Sequence, residues 1–141
     1  MDPDAVHKKL FEAMDGMKQK TEEINRQFKD PDRTTFVAVC IPEFLSMYET
    51  QRLSIELAKQ DIDIRNIVIN QVLFPDPASN CKKCVARRKM QEKYMSQIKE
   101  MFDDFHITIN PQLDEEVRGV ELLKAFGKLL FEGFKPDWEK S

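Results

Sequence analysis

Glycine is scarce, and its scarcity removes the commonest nucleotide machinery. The 141-residue chain has four glycines, Gly16, Gly119, Gly127 and Gly133, and none follows a strand-like run. A phosphate loop needs clustered glycines so that backbone amides can close on the phosphates, with a Lys and a Ser or Thr behind them. No Gly-Lys-Ser or Gly-Lys-Thr occurs. Histidine is equally sparse: His7 and His106 are the two, and neither sits in a metalloprotease motif or a nucleophile–base arrangement. The three cysteines are odd in number and too few for a disulfide framework. No stretch nears the ~18 consecutive apolar residues of a membrane span. Charge of one sign is missing too. Lys plus Arg number 22 against 25 Asp plus Glu, a net charge of −3, so there is no polyanion footprint and no nucleic-acid partner is expected. Met1-Asp2-Pro3-Asp4 lacks the basic and apolar regions of a signal peptide, which leads to an expected cytosolic location.

What is present is an alternation. Residues 2 to 28 read as a helix with Leu10, Met14, Met17, Ile24 and Phe28 on one face, a stripe that predicts packing on the domain or an adaptable groove. Asp30-Pro31-Asp32 breaks it. Thr35 to Ile41 is a near-continuous apolar run, and Asn66 to Leu73 is another; both predict strands buried on two faces, with Cys40 filling core space. His106 to Asn110 is a third short strand stopped by Pro111. Helices are predicted over Glu43–Lys59 (Phe44, Tyr48 and Ile55 near one face, Leu53 and Leu57 beside them), Cys81–Asp104 (Tyr94, Ile98, Met101 and Phe105) and Val117–Phe131 (Leu122, Phe126, Leu129 and Leu130). The basic residues Lys82, Lys83, Arg87, Arg88 and Lys89 read as a solvated face. Strand–helix alternation predicts an α/β fold of three parallel strands with flanking helices and a long N-terminal helix. So small a sheet reads as part of a larger one, with an open edge. The expected divisions are a helix at 1–30, an α/β unit at 31–132 and a polar tail at 133–141.

Ligands of open α/β sheets bind beyond the carboxyl ends of the strands. Here those ends are Glu43, Asn70-Gln71 and Asn110-Pro111. The Asn70 amide offers the donor and acceptor that a purine edge requires, or it caps a turn. Cys81 and Cys84 stand at the mouth of a helix at metal-ligand spacing, without a second pair. A tetrahedral zinc takes four such ligands, so the pair is half a site. Three uses remain open: a zinc shared across a dimer axis, a redox couple favoured by the helix N-terminus and neighbouring lysines, or idle thiols.

The segment Thr34 to Leu53 (TTFVAVCIPEFLSMYETQRL), Ile69 to Pro77 (INQVLFPDP), Cys81 to Arg87 (CKKCVAR), Asp103-Asp104-Phe105-His106 and Glu116-Val117-Arg118-Gly119 resemble the ArsA-type ATPases that target tail-anchored membrane proteins, and most closely their eukaryotic cytosolic branch. The likeness runs from about Lys18 to Phe131. It implies part of a P-loop NTPase fold from a homodimeric ATPase whose closure on ATP and Mg²⁺ builds a methionine-rich client groove. It implies that Cys81 and Cys84 are ligands of a zinc shared by two subunits. It implies that Asn70 contacts adenine, that the loop from Pro111 to Arg118 wraps the base, and that Glu43 lies near the nucleotide across the dimer. Tyr48, Glu100 and Asp104 match surface positions used by an endoplasmic-reticulum membrane receptor and an upstream targeting cofactor; the clients are tail-anchored proteins. The implied location is cytoplasmic, peripheral to that membrane. The family's phosphate loop, switch segments and catalytic aspartate have no counterpart in this sequence, as in a C-terminal portion or a truncated relative, so the chain alone is expected to be inactive. Gln112-Leu113-Asp114-Glu115 is more acidic than the family's hydrophobic loop, and Gln51 replaces an acidic residue of the partner surface. Outside that resemblance, a thiol–disulfide protein and a non-catalytic interaction module are the competing readings.

Overall fold

Parallel strands cannot be joined by tight hairpins; each pair needs a crossover long enough to return along the sheet. The chain supplies a helix at each crossover. The computed structural model describes residues 3–76, 78 and 81–134. Its order is α1 (Pro3–Lys29), β1 (Phe36–Cys40), α2 (Phe44–Lys59), β2 (Ile64–Val72), α3 (Lys82–Met101), β3 (His106–Pro111) and α4 (Gly119–Glu132). The sheet order is β1-β2-β3, with both pairs parallel. This is the α/β architecture the alternation predicts.

The core lies between one face of the sheet and α2 and α3. Ala38, Cys40, Ile67 and Ile69 point to that face, and Met47, Met95, Ile98 and Phe102 come down from the helices. Ile67, Ile69 and Ile98 have no exposed surface. Period-two alternation therefore carries the packing.

The opposite face departs from expectation. Val37 is 49% exposed and Val39 64%, so β1 is buried on one face only. Its unbroken apolar run reflects a face left uncovered within this chain, at an edge strand.

The helices differ from expectation as well. The α1 stripe is not packed: Leu10, Met14, Met17 and Ile24 are each half-exposed or more. Its C-terminal end is tied to the domain, through Phe28 edge-on to Phe36 at 5.6 Å, Lys29 to Asp61 at 3.3 Å and the Thr34 hydroxyl to the Gln27 carbonyl at 2.7 Å. On α2 the residues facing the sheet are Met47 and Thr50, while Phe44, Tyr48 and Ile55 face outward. The cause is local. Ser46, Thr50 and Ser54 are small, and the Thr50 and Ser54 hydroxyls donate to the carbonyls of Ser46 and Thr50, which lets polar side chains lie against β1. Helix α3 ends at Met101 rather than Asp104, and its inward stripe includes Gln91, Met95 and Phe102. Arg88 is not solvated like its basic neighbours; only 24% of its side chain is exposed. Helix α4 starts two residues later than expected, where Gly119 takes φ +77°. Within the expected tail, Phe134 packs on Phe74 at 4.9 Å; residues 135–141 lie outside the described residues.

Candidate functional site

Most of the candidate ligand-binding residues lie at the carboxyl ends of the strands or at the start of α3. At the strand ends, Glu43, Gln71 and Gln112 line one small cleft of about 80 Å³ with Ile41, Leu73, Arg87 and Gln91. Glu43 starts α2 without a capping bond and pairs with Arg87 at 3.6 Å. Asn70 and Pro111 adjoin that cleft through their neighbours Gln71 and Gln112, and the Gln112 N–H donates to the Val72 carbonyl at 2.8 Å. Asn70 is half-buried and Pro111 buried. Arg118 lies apart: its side chain is 79% exposed and pairs with Glu116 at 2.9 Å.

The ladder between β2 and β3 slips at this end. Ile69 pairs with Ile109 and then Val72 with Pro111, so Asn70 and Gln71 together oppose Asn110. Such a bulge re-aims side chains at a strand end. Gln71 absorbs it with φ +58°. Asn110 is 1% exposed, and its Oδ1 has no partner among the described residues. A buried amide oxygen is costly to leave unpaired, so Asn110 offers an acceptor at this corner. Sequence reasoning named Asn110 only as a strand end.

The loop after β3 is anchored rather than free. Leu113 and Val117 turn against Leu122, Phe126 and Leu129 of α4 around an apolar cleft of about 270 Å³. Its acidic residues Asp114, Glu115 and Glu116 are exposed, and Glu115 and Glu116 also line that cleft.

Cys81 and Cys84 converge at the other place. Cys81 is the N-cap of α3, and its sulfur accepts from the Cys84 N–H at 3.4 Å. The two sulfurs are 2.8 Å apart in thiol–thiol hydrogen-bond contact. The Cys84 thiol, and after it the Cys84 amide, lowers the Cys81 pKa below its ordinary value. The bond to Cys81, and then desolvation, raises that of Cys84. Cys40 is a core thiol, and burial raises its pKa.

No group of three or more His, Cys, Asp or Glu residues converges among the described residues, so any metal here needs ligands from elsewhere. The donor set itself suits zinc, which takes thiolates readily. With Zn–S bonds of ~2.3 Å in a tetrahedron, the two sulfurs would sit about 3.8 Å apart, so the pair must open to receive the ion.

A third place gathers the surface candidates. A groove of about 510 Å³ between α2 and α3 is lined by Phe44, Met47, Lys93, Tyr94, Gln97, Glu100 and Met101. Exposed Tyr48 stacks on Phe44 at 6.3 Å. Asp104 is exposed in the turn that follows α3. No described helix is long and apolar enough to cross a membrane.

Comparison with known proteins identifies the family. A family described as anion-transporting ATPase matches residues 2–132. A protein named ATPase get3 from Schizosaccharomyces japonicus is 55% identical over 121 residues, which are 86% of this chain and 37% of that protein. The ATPase get3 of Schizosaccharomyces pombe is 52% identical over 130 residues, 92% of this chain and 39% of that protein. The ATPase ASNA1 homolog 2 of Paramecium tetraurelia is 55% identical over 121 residues, again 86% and 37%. The chain thus spans less than two-fifths of the length of these relatives.

Proposed function

The chain belongs to the ArsA-type anion-transporting ATPase family, and from that premise we propose that it carries the zinc-bridged dimer contact and the adenine side of an ATPase that delivers tail-anchored proteins to the endoplasmic reticulum. The observation that supports this most is the thiol pair: two sulfurs 2.8 Å apart at a helix start, without a third ligand among the described residues. Two ligands leave a tetrahedron half filled, and a second copy of the chain supplies the same two thiolates across a twofold axis. Zinc there ties two chains together as a structural ion. Cys81, whose pKa is already lowered, gives up its proton first, and Cys84 follows on binding.

In this reading Asn70 presents its amide to the adenine edge. Pro111 and the loop to Arg118 border the base, and Glu43 faces the nucleotide from the partner subunit. Helix α2 and the groove behind it, with Tyr48, Glu100 and Asp104, form the surface for the membrane receptor and the upstream cofactor. The phosphate chemistry needs amides, a lysine and Mg²⁺ around the γ-phosphate, and this sequence holds no motif that gathers them. The purified chain therefore releases no phosphate from ATP above a protein-free control. Turnover that co-purifies with the chain through successive columns would contradict this.

Metal content tests the central claim. One zinc per two chains is expected, in a discrete dimer that chelator dissolves. The Cys81→Ser/Cys84→Ser double variant is expected to be a metal-free monomer. A double variant that remains a metal-loaded dimer overturns zinc bridging. Metal-free monomers whose pair cycles between dithiol and disulfide with glutathione would instead favour a thiol–disulfide couple, the use to which the lowered Cys81 pKa points.

A further inference from the structure

Gln91 sits in the middle of α3, on a charged helix, and is only 5% exposed. Both ends of its amide are used on main chain beyond the bulge. Its Oε1 accepts the Leu73 N–H at 2.8 Å, and its Nε2 donates to the Gln71 carbonyl at 2.9 Å. One turn earlier, Arg88 donates to the Leu73 carbonyl at 3.0 Å and lies 4.8 Å from the centre of the Phe74 ring. Two side chains of one helix thus hold three main-chain groups between residues 71 and 73.

Gln71 is the residue with φ +58°, a conformation that side chains other than glycine adopt at a cost. Something must hold it. The bulge leaves the Gln71 carbonyl and the Leu73 amide in need of partners, and a buried main-chain group without one is destabilising. A primary amide is the side-chain tip that carries a donor and an acceptor together. Glutamate would set a charged oxygen against the Gln71 carbonyl, and leucine would leave both groups unpaired.

We propose that Gln91 is a positioning residue for the nucleotide end of the sheet: it fixes Gln71 in the left-handed conformation and so sets the direction in which the Asn70 amide leaves β2. Its bearing on nucleotide selection rests on the reading of Asn70 as the adenine contact, whereas the geometric part stands without it. Arg88 assists by holding the far side of Leu73.

The test uses the full chain, labelled with ¹⁵N, in three forms: wild type, Gln91→Leu and Ile98→Val. Gln91→Leu is expected to displace the Asn70 side-chain NH₂ resonances and to speed exchange of the Leu73 amide by about tenfold, the loss of one hydrogen bond. Ile98→Val, two turns along the same face, lowers stability but leaves both signals in place, so a general loosening does not mimic the effect. Unchanged Asn70 and Leu73 signals in folded Gln91→Leu protein overturn the positioning role. Titration with fluorescent ATP and GTP analogues is the second arm. The wild type is expected to prefer the adenine nucleotide, and Gln91→Leu to lose that preference. A wild type that prefers the guanine analogue overturns the adenine reading of Asn70 alone, because the resonance shifts still decide the role of Gln91.

Discussion

The two sulfurs of the helix mouth do not share one environment. Cys81 caps α3, accepts from the Cys84 amide and lies in hydrogen-bond contact with the Cys84 thiol, an environment that lowers its pKa and raises that of Cys84. Cys40 is buried 2% exposed under α2 and titrates late for a different reason, desolvation. Alkylation of the metal-free protein at neutral pH is therefore expected to label Cys81 first, Cys84 more slowly and Cys40 only on unfolding. In Cys84→Ala the largest cause of the Cys81 shift is gone, and the midpoint of its alkylation against pH moves upward. A midpoint that stays in place would show the helix mouth alone to be responsible. At this scale the thiol pair was legible in the sequence, because three-residue spacing at a helix start brings two side chains together whatever the fold around them. Gln91 and Arg88 were not legible. A polar residue on a charged helix reads as solvated until the main-chain groups it satisfies, twenty residues away in sequence, are in view.

Among the elements, the strands were legible and the helix faces were less so. The parallel direction of the strands follows from alternation and from crossover length, which are local, whereas the two-sided burial expected of β1 did not follow. Which side of a helix is buried depends on what it meets. For α2 the apolar periodicity pointed to Phe44, Tyr48 and Ile55, yet Met47 and Thr50 took the sheet, with Leu57 packed beside them, and left those three exposed. For α1 the stripe showed that the helix wants a partner, and nothing in its pattern says whether the partner is in the same chain. The energetic consequence separates α1 from α3. Met17 is 71% exposed, so Met17→Ala should stay within about 0.5 kcal/mol of wild type in urea unfolding. Ile98 is fully buried between α3 and the sheet, so Ile98→Ala should cost about 3 kcal/mol, in the range for large-to-small core changes. Similar losses from both would mean that α1 is packed in solution.

Taken whole, the molecule exposes too much surface for its mass. A folded monomer of 16.6 kDa is expected to expose about 7,600 Å², whereas this chain exposes 11330 Å². The unpacked α1 stripe and the uncovered sheet face contribute to the difference, and neither shows in composition, since 41% hydrophobic residues is ordinary for a soluble domain. The uncovered face ends at β1, an edge strand whose far side has no ladder partner within the sheet. An apolar edge of this kind is a template for pairing with other chains. A zinc-linked dimer of the kind proposed would be closed and stop at two, whereas head-to-tail pairing of sheet edges does not close and would continue to aggregates. The two are separable by experiment. Light scattering of chelator-treated protein should rise with concentration and temperature, and the rise should persist in the Cys81→Ser/Cys84→Ser background. Val39→Lys places a charge on the open face at a site 64% exposed, so it should leave stability within about 0.5 kcal/mol while suppressing the scattering. If Val39→Lys aggregates as readily as the parent, the association starts elsewhere, and the α1 stripe with its exposed methionines becomes the surface to charge next.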